Sequence, residues 1–189
     1  IKAIPALIKC VSDKNDEVRL HAVEALIEIG DESIAPGLIL ALEDENIKGI
    51  ALKGLRNIKD IKIIPELTKL LNDSDETIQH ESSRILEDFG EDALPNLLSG
   101  FQDKDNSDRI RQSIARILGI IGNSKSIPTL IGCIHDDDLL LRRRIITALG
   151  EIGHPDAVVT LIECLQDGED IIRRESALAL GKIKSNDAV

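Results

Sequence analysis

Tryptophan, tyrosine and methionine are absent from the 189 residues, and phenylalanine occurs only twice. A core is still possible, because 42% of the residues are hydrophobic, but it must be built from Ile, Leu, Val and Ala. The lack of aromatic platforms argues against single-stranded nucleic acid as a ligand. Basic residues are also short: 34 acidic against 23 basic give a net charge of −11, a field that repels nucleic acid and anionic membrane. Apolar runs such as Ile34 to Leu42 are far below the ~20 residues that span a bilayer. No basic segment with a following apolar run and small-residue cleavage site opens the chain. Cys10, Cys133 and Cys164 include no CxxC, so neither a disulfide framework nor a zinc knuckle is indicated, and a reducing, cytoplasmic location is expected. Asn72-Asp73-Ser74 matches a glycosylation sequon, but nothing else points to secretion.

What is present is periodic. Pro5, Pro36, Pro65, Pro95 and Pro128 are spaced by 31, 29, 30 and 33 residues, and Val159 continues the series 31 residues on. Two residues after each stands a leucine: Leu7, Leu38, Leu67, Leu97, Leu130 and Leu161. Eight residues after each stands an aspartate: Asp13, Asp44, Asp73, Asp103, Asp136 and Asp167. Each unit thus opens with a short helix that ends at an aspartate. A second apolar pattern follows, anchored by Leu26, Leu55, Leu86, Leu118, Leu149 and Leu180. In the first unit Val18, Ala22, Ala25, Leu26 and Ile29 have the spacing of one helical face. Gly30, Gly90, Gly122 and Gly153 are expected to end their helices as left-handed caps, whereas Lys59 and Lys184 at that place predict weaker ends. A hairpin of about 31 residues cannot bury its own apolar face, so neighbours must stack. The expected fold is an all-α solenoid of about six hairpins.

The segments DKNDEVRLHAVEALIEIGDES, DDDLLLRRRIITALGEIGHPDA and DGEDIIRRESALALGKIKSNDA resemble HEAT repeats, specifically the short HEAT-like type of phycobilin lyase subunits. The resemblance covers essentially the whole chain and implies a right-handed superhelix, read as one domain over residues 1–189 with units near 1–31, 32–60, 61–92, 93–125, 126–156 and 157–187. It also implies a ladder of hydrogen bonds between units, formed by the turn aspartate and an arginine six residues on, as in Asp13 and Arg19, Asp136 and Arg142, and Asp167 and Arg173. Arg111 follows Asp103 by eight residues, Lys48 follows Asp44 by four, and Gln79 replaces the cation in the third unit. The chain begins with Ile1, and Asp187-Ala188-Val189 repeats Asp156-Ala157-Val158, which opens the sixth unit. It therefore reads as a fragment, with further repeats or another domain expected beyond at least one end.

The cysteines share one position on the first helices, where Ala41, Leu70 and Gly100 stand in other units, and are expected to be structural. His80-Glu81 resembles one of the His-Glu pairs of the HEAT-like deoxyhypusine hydroxylases, but the equivalent pairs of the other units lack that composition, so no di-iron site is expected. Asp73-Ser74-Asp75 and Asp103-Lys104-Asp105 open like calcium loops yet lack the glycine at the sixth position and the glutamate at the twelfth. His154-Pro155-Asp156 is similar to the J-domain tripeptide and is read as an inter-unit turn. No phosphate loop, nucleophile elbow or Ser/His/Asp arrangement occurs at useful spacing.

On the second helices, the positions of Leu20, Glu24, Ile27 and Glu28 are expected to face outward. There Lys53, His80, Arg84, Gln112, Arg116, Arg143 and Arg174 form a largely basic stripe, on the side that the HEAT resemblance makes concave. The leading reading is a non-catalytic scaffold, without cofactor or metal, whose concave face receives another protein through an acidic segment. A base-capturing groove like that of the HEAT-like alkylpurine DNA glycosylases is disfavoured because Phe89 and Phe101 fall in core register. The resemblance supplies the alternative, a chromophore lyase or lyase-like chaperone subunit. An accessory domain of a larger enzyme is the third reading.

Overall fold

Each proline-to-aspartate unit folds as a short helix followed by a longer one. The computed structural model describes residues 2–186, with side chains to Ile183, so Ile1, the Lys184 side chain and Asp187-Ala188-Val189 lie outside the described residues. The helices are α1 (Ile4–Cys10), α2 (Asp16–Ile29), α3 (Ala35–Ala41), α4 (Lys48–Leu55), α5 (Ile64–Lys69), α6 (Glu76–Phe89), α7 (Leu94–Gln102), α8 (Asp108–Ile121), α9 (Ile127–Gly132), α10 (Leu139–Ile152), α11 (Val158–Cys164) and α12 (Asp170–Asn186). No strand occurs among the described residues, and consecutive pairs make the hairpins of an all-α solenoid. The chain divides into two compact units, Ile1–Ile85 and Leu86–Val189.

Local chemistry sets the helix limits. Asn15 accepts from the amides of Glu17 and Val18, Ser107 from that of Ile110, and Asp138 from those of Leu140 and Leu141. Such caps are worth about 1 kcal/mol each. Gly30, Gly90, Gly122 and Gly153 all have positive φ, between 55° and 70°, as the sequence predicts. Helix α4, with Lys59 in place of the glycine, stops at Leu55 after eight residues and lacks a side-chain N-cap. Helix α12 has no glycine at that level and runs through Lys184 to Asn186.

The leucine two residues after each proline is the centre of each hairpin: Leu38, Leu67, Leu97, Leu130 and Leu161 are fully buried. Each such burial contributes roughly 1.5–3 kcal/mol. Phe101 is fully buried and Phe89 nearly so, in core register as expected. In the second unit α8, α10 and α12 lie side by side at very short range. A Cβ built on Gly119 would stand 2.9 Å from Ala148 Cα, and one on Gly150 would stand 2.7 Å from Ala179 Cβ.

Two expectations for α2 fail. Val18 and Ile29 are 40% and 37% exposed, whereas Val23, left out of the predicted face, is fully buried. Leu20 and Ile27 are half-buried and do not face solvent. A Cβ on Gly54 would meet Ile27 Cγ1 at 2.6 Å, so Ile27 fills the space beside α4. The two errors have opposite causes: no helix covers Val18 among the described residues, whereas Ile27 is covered by α4, because a second helix packs against its own first helix and against the second helices beside it. One hundred degrees of rotation per residue predicts a single buried stripe, and a stacked helix has three.

Candidate functional site

The turns carry the strongest electrostatics. In the first unit Arg19 Nε donates to Asp44 Oδ2 at 2.6 Å while its Nη1 donates to the Asp13 carbonyl, and Lys48 Nζ donates to Asp73 Oδ2 at 2.7 Å. In the second unit Arg111 reaches Asp136 at 2.7 Å and Arg142 reaches Asp167 at 3.2 Å. Each cation therefore ties its own turn to the turn of the following hairpin. Gln79, being neutral, donates to the Asp73 carbonyl of its own turn. Arg111 also donates to the Phe101 carbonyl and lies 5.7 Å from that ring's centre.

These contacts polarise the carboxylates. The Asn46 amide holds Asp44 below the usual range, against partial burial and with help from Arg19. Burial raises Asp73 and Asp136, but hydrogen bonds from Lys48 and Arg111, with turn amides, outweigh it and both end below the usual range. Such aspartates fix turns and have no proton to exchange near neutrality.

The stripe on the second helices is not a row of free cations. Lys53 and His80 are exposed. Arg84 lies 3.6 Å from Glu81, which Arg56 also approaches at 3.8 Å. Gln112 donates to Asp138, and Arg116 pairs with Glu87 at 2.8 Å. Arg143 and Arg174 converge on one carboxylate, Glu175, at 3.3 Å and 3.6 Å. Their side chains remain 40% and 64% exposed, and the neighbouring Arg144 is exposed as well. The structure thus brings Arg143 and Arg174 together, while Arg116 and Gln112 are engaged by carboxylates elsewhere. Beside that pair, Thr147, Glu175, Leu178, Ala179, Gly181 and Lys182 line a hollow of about 340 Å³ whose apolar wall includes Leu178, 57% exposed. Sequence reasoning did not find the hollow, to whose lining Ala179 and Gly181 contribute little side-chain bulk.

Other sequence candidates fall elsewhere. His80 is exposed beside Glu81, and no group of three or more His, Cys, Asp or Glu side chains is arranged to hold a metal ion among the described residues. Asp73 and Asp103 accept the amides of Asp75 and Asp105, which makes them turn formers. His154 caps the turn Pro155–Ala157 through Nδ1. All three cysteines are free thiols, and burial pushes the thiol of Cys164 up. No helix among the described residues is long and apolar enough to cross a membrane.

The fold and the turn ladder define an α-solenoid of HEAT type. Family models described as HEAT repeats match residues 35–109, 64–143 and 134–189, and one described as HEAT repeat matches residues 3–32. The chain belongs to the HEAT repeat family. No curated protein sequence matches it. Among solved structures it is similar to the complex of CpcE and CpcF of phycocyanin lyase from Nostoc, with 26% identity and a TM-score of 0.60 over 67% of this chain and 81% of that one. Drosophila melanogaster Mini spindles TOG3 gives 16% identity and a TM-score of 0.70 over 93% and 92%. Human deoxyhypusine hydroxylase in complex with glycerol gives 16% identity and a TM-score of 0.52 over 98% and 85%.

Proposed function

We propose that this chain is a non-catalytic protein-interaction scaffold of the cytoplasm, and that the exposed faces of its second helices receive an acidic segment of a partner protein. The observation that carries the reading is the shared carboxylate in the second unit. Arg143 and Arg174 both lean on Glu175, so that cluster keeps a positive excess within a chain of net charge −11. The adjoining hollow with Leu178 offers apolar contact next to that charge. Exposed charge alone gives little affinity, whereas charge beside an apolar cavity gives both steering and burial. Gln112 and Arg116 in the second unit, and Lys53, His80 and Arg84 in the first, hold the corresponding positions of their own second helices at lower net charge.

The test is affinity capture with the wild-type protein against Arg143→Glu/Arg174→Glu, followed by mass spectrometry. A partner retained by the wild type and lost by the variant, with unchanged circular dichroism, supports the scaffold; retention by both removes this surface from the reading. The CpcE–CpcF likeness favours one other reading, a lyase-type subunit. An absorbance spectrum of the same eluate distinguishes it, because a bound chromophore would be coloured.

A further inference from the structure

Three residues on the outward face of the second unit are apolar where other hairpins carry polar groups. Ile120 on α8 is 50% exposed, and its register holds Glu28, Asn57, Asp88 and Glu151, all exposed. Leu139 on α10 is 37% exposed, in a register that otherwise reads Asp16, Glu45, Glu76, Asp108 and Asp170. Leu178 on α12 is 57% exposed, and its register holds Lys53 and Arg84, exposed on the mid-chain helices α4 and α6. Exposure at these three levels is therefore a property of the repeat. Among the described residues α4 and α6 expose no large apolar side chain. Helix α10 also forgoes a favourable charge. An acidic residue stands in the first turn of α2, α6, α8 and α12, where the helix dipole favours it, but none stands in that of α10. Leu139 thus costs its helix an acid and puts a leucine in water, with no gain inside the chain.

Each of the three lies one turn from an arginine of its own helix. Arg116 precedes Ile120 by four residues, Arg143 follows Leu139 by four, and Arg174 precedes Leu178 by four. Residues four apart share a helical face and are separated by about 6 Å along the axis. Leu140, 42% exposed, widens the apolar end of the pair on α10. Helix α10 packs against α8 on one side and α12 on the other, so the unit presents three couples of cation and apolar side chain in succession. The cations alone attract weakly. Glu87 pairs with Arg116, and Glu175 with both Arg143 and Arg174, which sets three guanidinium groups against two carboxylates. Exposed ion pairs add little affinity and are screened by salt, so a purely acidic tail would be held loosely.

We propose that the partner segment received by this face is acidic and apolar by turns, with aliphatic or aromatic side chains interleaved among its carboxylates. Its acids meet Arg116, Arg143 and Arg174, and its apolar side chains cover Ile120, Leu139 and Leu178. The proposal rests on the scaffold reading above and states which class of acidic segment that scaffold takes. Complementarity selects this occupant on both counts. A stretch of acids alone would leave three apolar side chains uncovered beside the charges. A wholly apolar stretch would desolvate the arginines without giving them partners. Only an interleaved segment satisfies the cation and the apolar residue of each couple, and burial of the apolar members supplies the affinity that screened charges lack.

The experiment is selection of random peptides displayed on phage against the 189-residue protein, followed by titration calorimetry of the enriched peptide with the wild type and two variants. The expected consensus interleaves Asp or Glu with Leu, Ile, Val, Met or Phe. Ile120→Asn/Leu139→Gln/Leu178→Thr keeps the net charge at −11 and alters only exposed side chains. Circular dichroism and the unfolding midpoint should therefore hold while affinity for the peptide falls about tenfold or more. Arg143→Glu/Arg174→Glu should weaken the same peptide as well. A consensus of acids alone overturns the interleaved segment and leaves the acidic-segment reading standing, as does full affinity in the apolar triple variant with loss in the arginine variant. Full affinity in both variants, or no enriched peptide at all, overturns the two together.

Discussion

Lys48 Nζ lies 2.7 Å from Asp73 Oδ2, with the two side chains only 5% and 9% exposed, so the second hairpin is fastened to the third by a nearly dry ion pair. It is the counterpart of the arginine rungs elsewhere, made by lysine in a turn that is two residues shorter than that of the first hairpin. A point charge suffices there because Glu45 also approaches the ammonium.

Removing one member of that pair leaves the other without compensation. Lys48→Ala should cost about 2–4 kcal/mol in urea unfolding at neutral pH. The double variant Lys48→Met/Asp73→Asn should recover much of the loss, because neither charge then remains to be desolvated. An unchanged midpoint for Lys48→Ala would show that the pair contributes nothing net.

The lowered carboxylates make stability depend on acid. Asp44, Asp73 and Asp136 hold their protons less tightly in the folded chain than in the unfolded one. Their contribution is therefore complete above the ordinary aspartate pKa of about 3.9 and is lost as pH falls through the lower folded values. Urea midpoints should drop steeply below about pH 4, and Asp136→Asn should flatten part of that slope.

The close approach of α10 and α12 is sterically exacting. Gly150→Ala should destabilise by about 1–3 kcal/mol, because the new methyl would meet Ala179 backbone at 2.8 Å. Gly132→Ala is the matched control, since its Cβ meets nothing within 4 Å. Thermal unfolding of both variants checks the contrast.

Much of this fold could be read from spacing alone, since proline, leucine, aspartate and glycine recur in one register and each has a separate physical task. The turn cations were legible too, down to the neutral Gln79. What was hidden depends on the neighbour and not on the residue. Val18 and Ile29 have the spacing of a buried face but lack a helix to cover it, and Ile27 looks outward until Gly54 opposite it is seen to leave room. The convergence of Arg143 and Arg174 on Glu175 was equally invisible, because it joins two helices across a stack.

Each rung in the second unit connects one hairpin only to the next, Arg111 to Asp136 and Arg142 to Asp167. Under a pulling force such a construction has no single clamp that must yield first. A molecule stretched from its C-terminus should peel in small, nearly equal events, each releasing one hairpin of about 30 residues, or roughly 10 nm of extended chain. Tension would thus be absorbed in instalments, which makes the unit a shallow molecular spring.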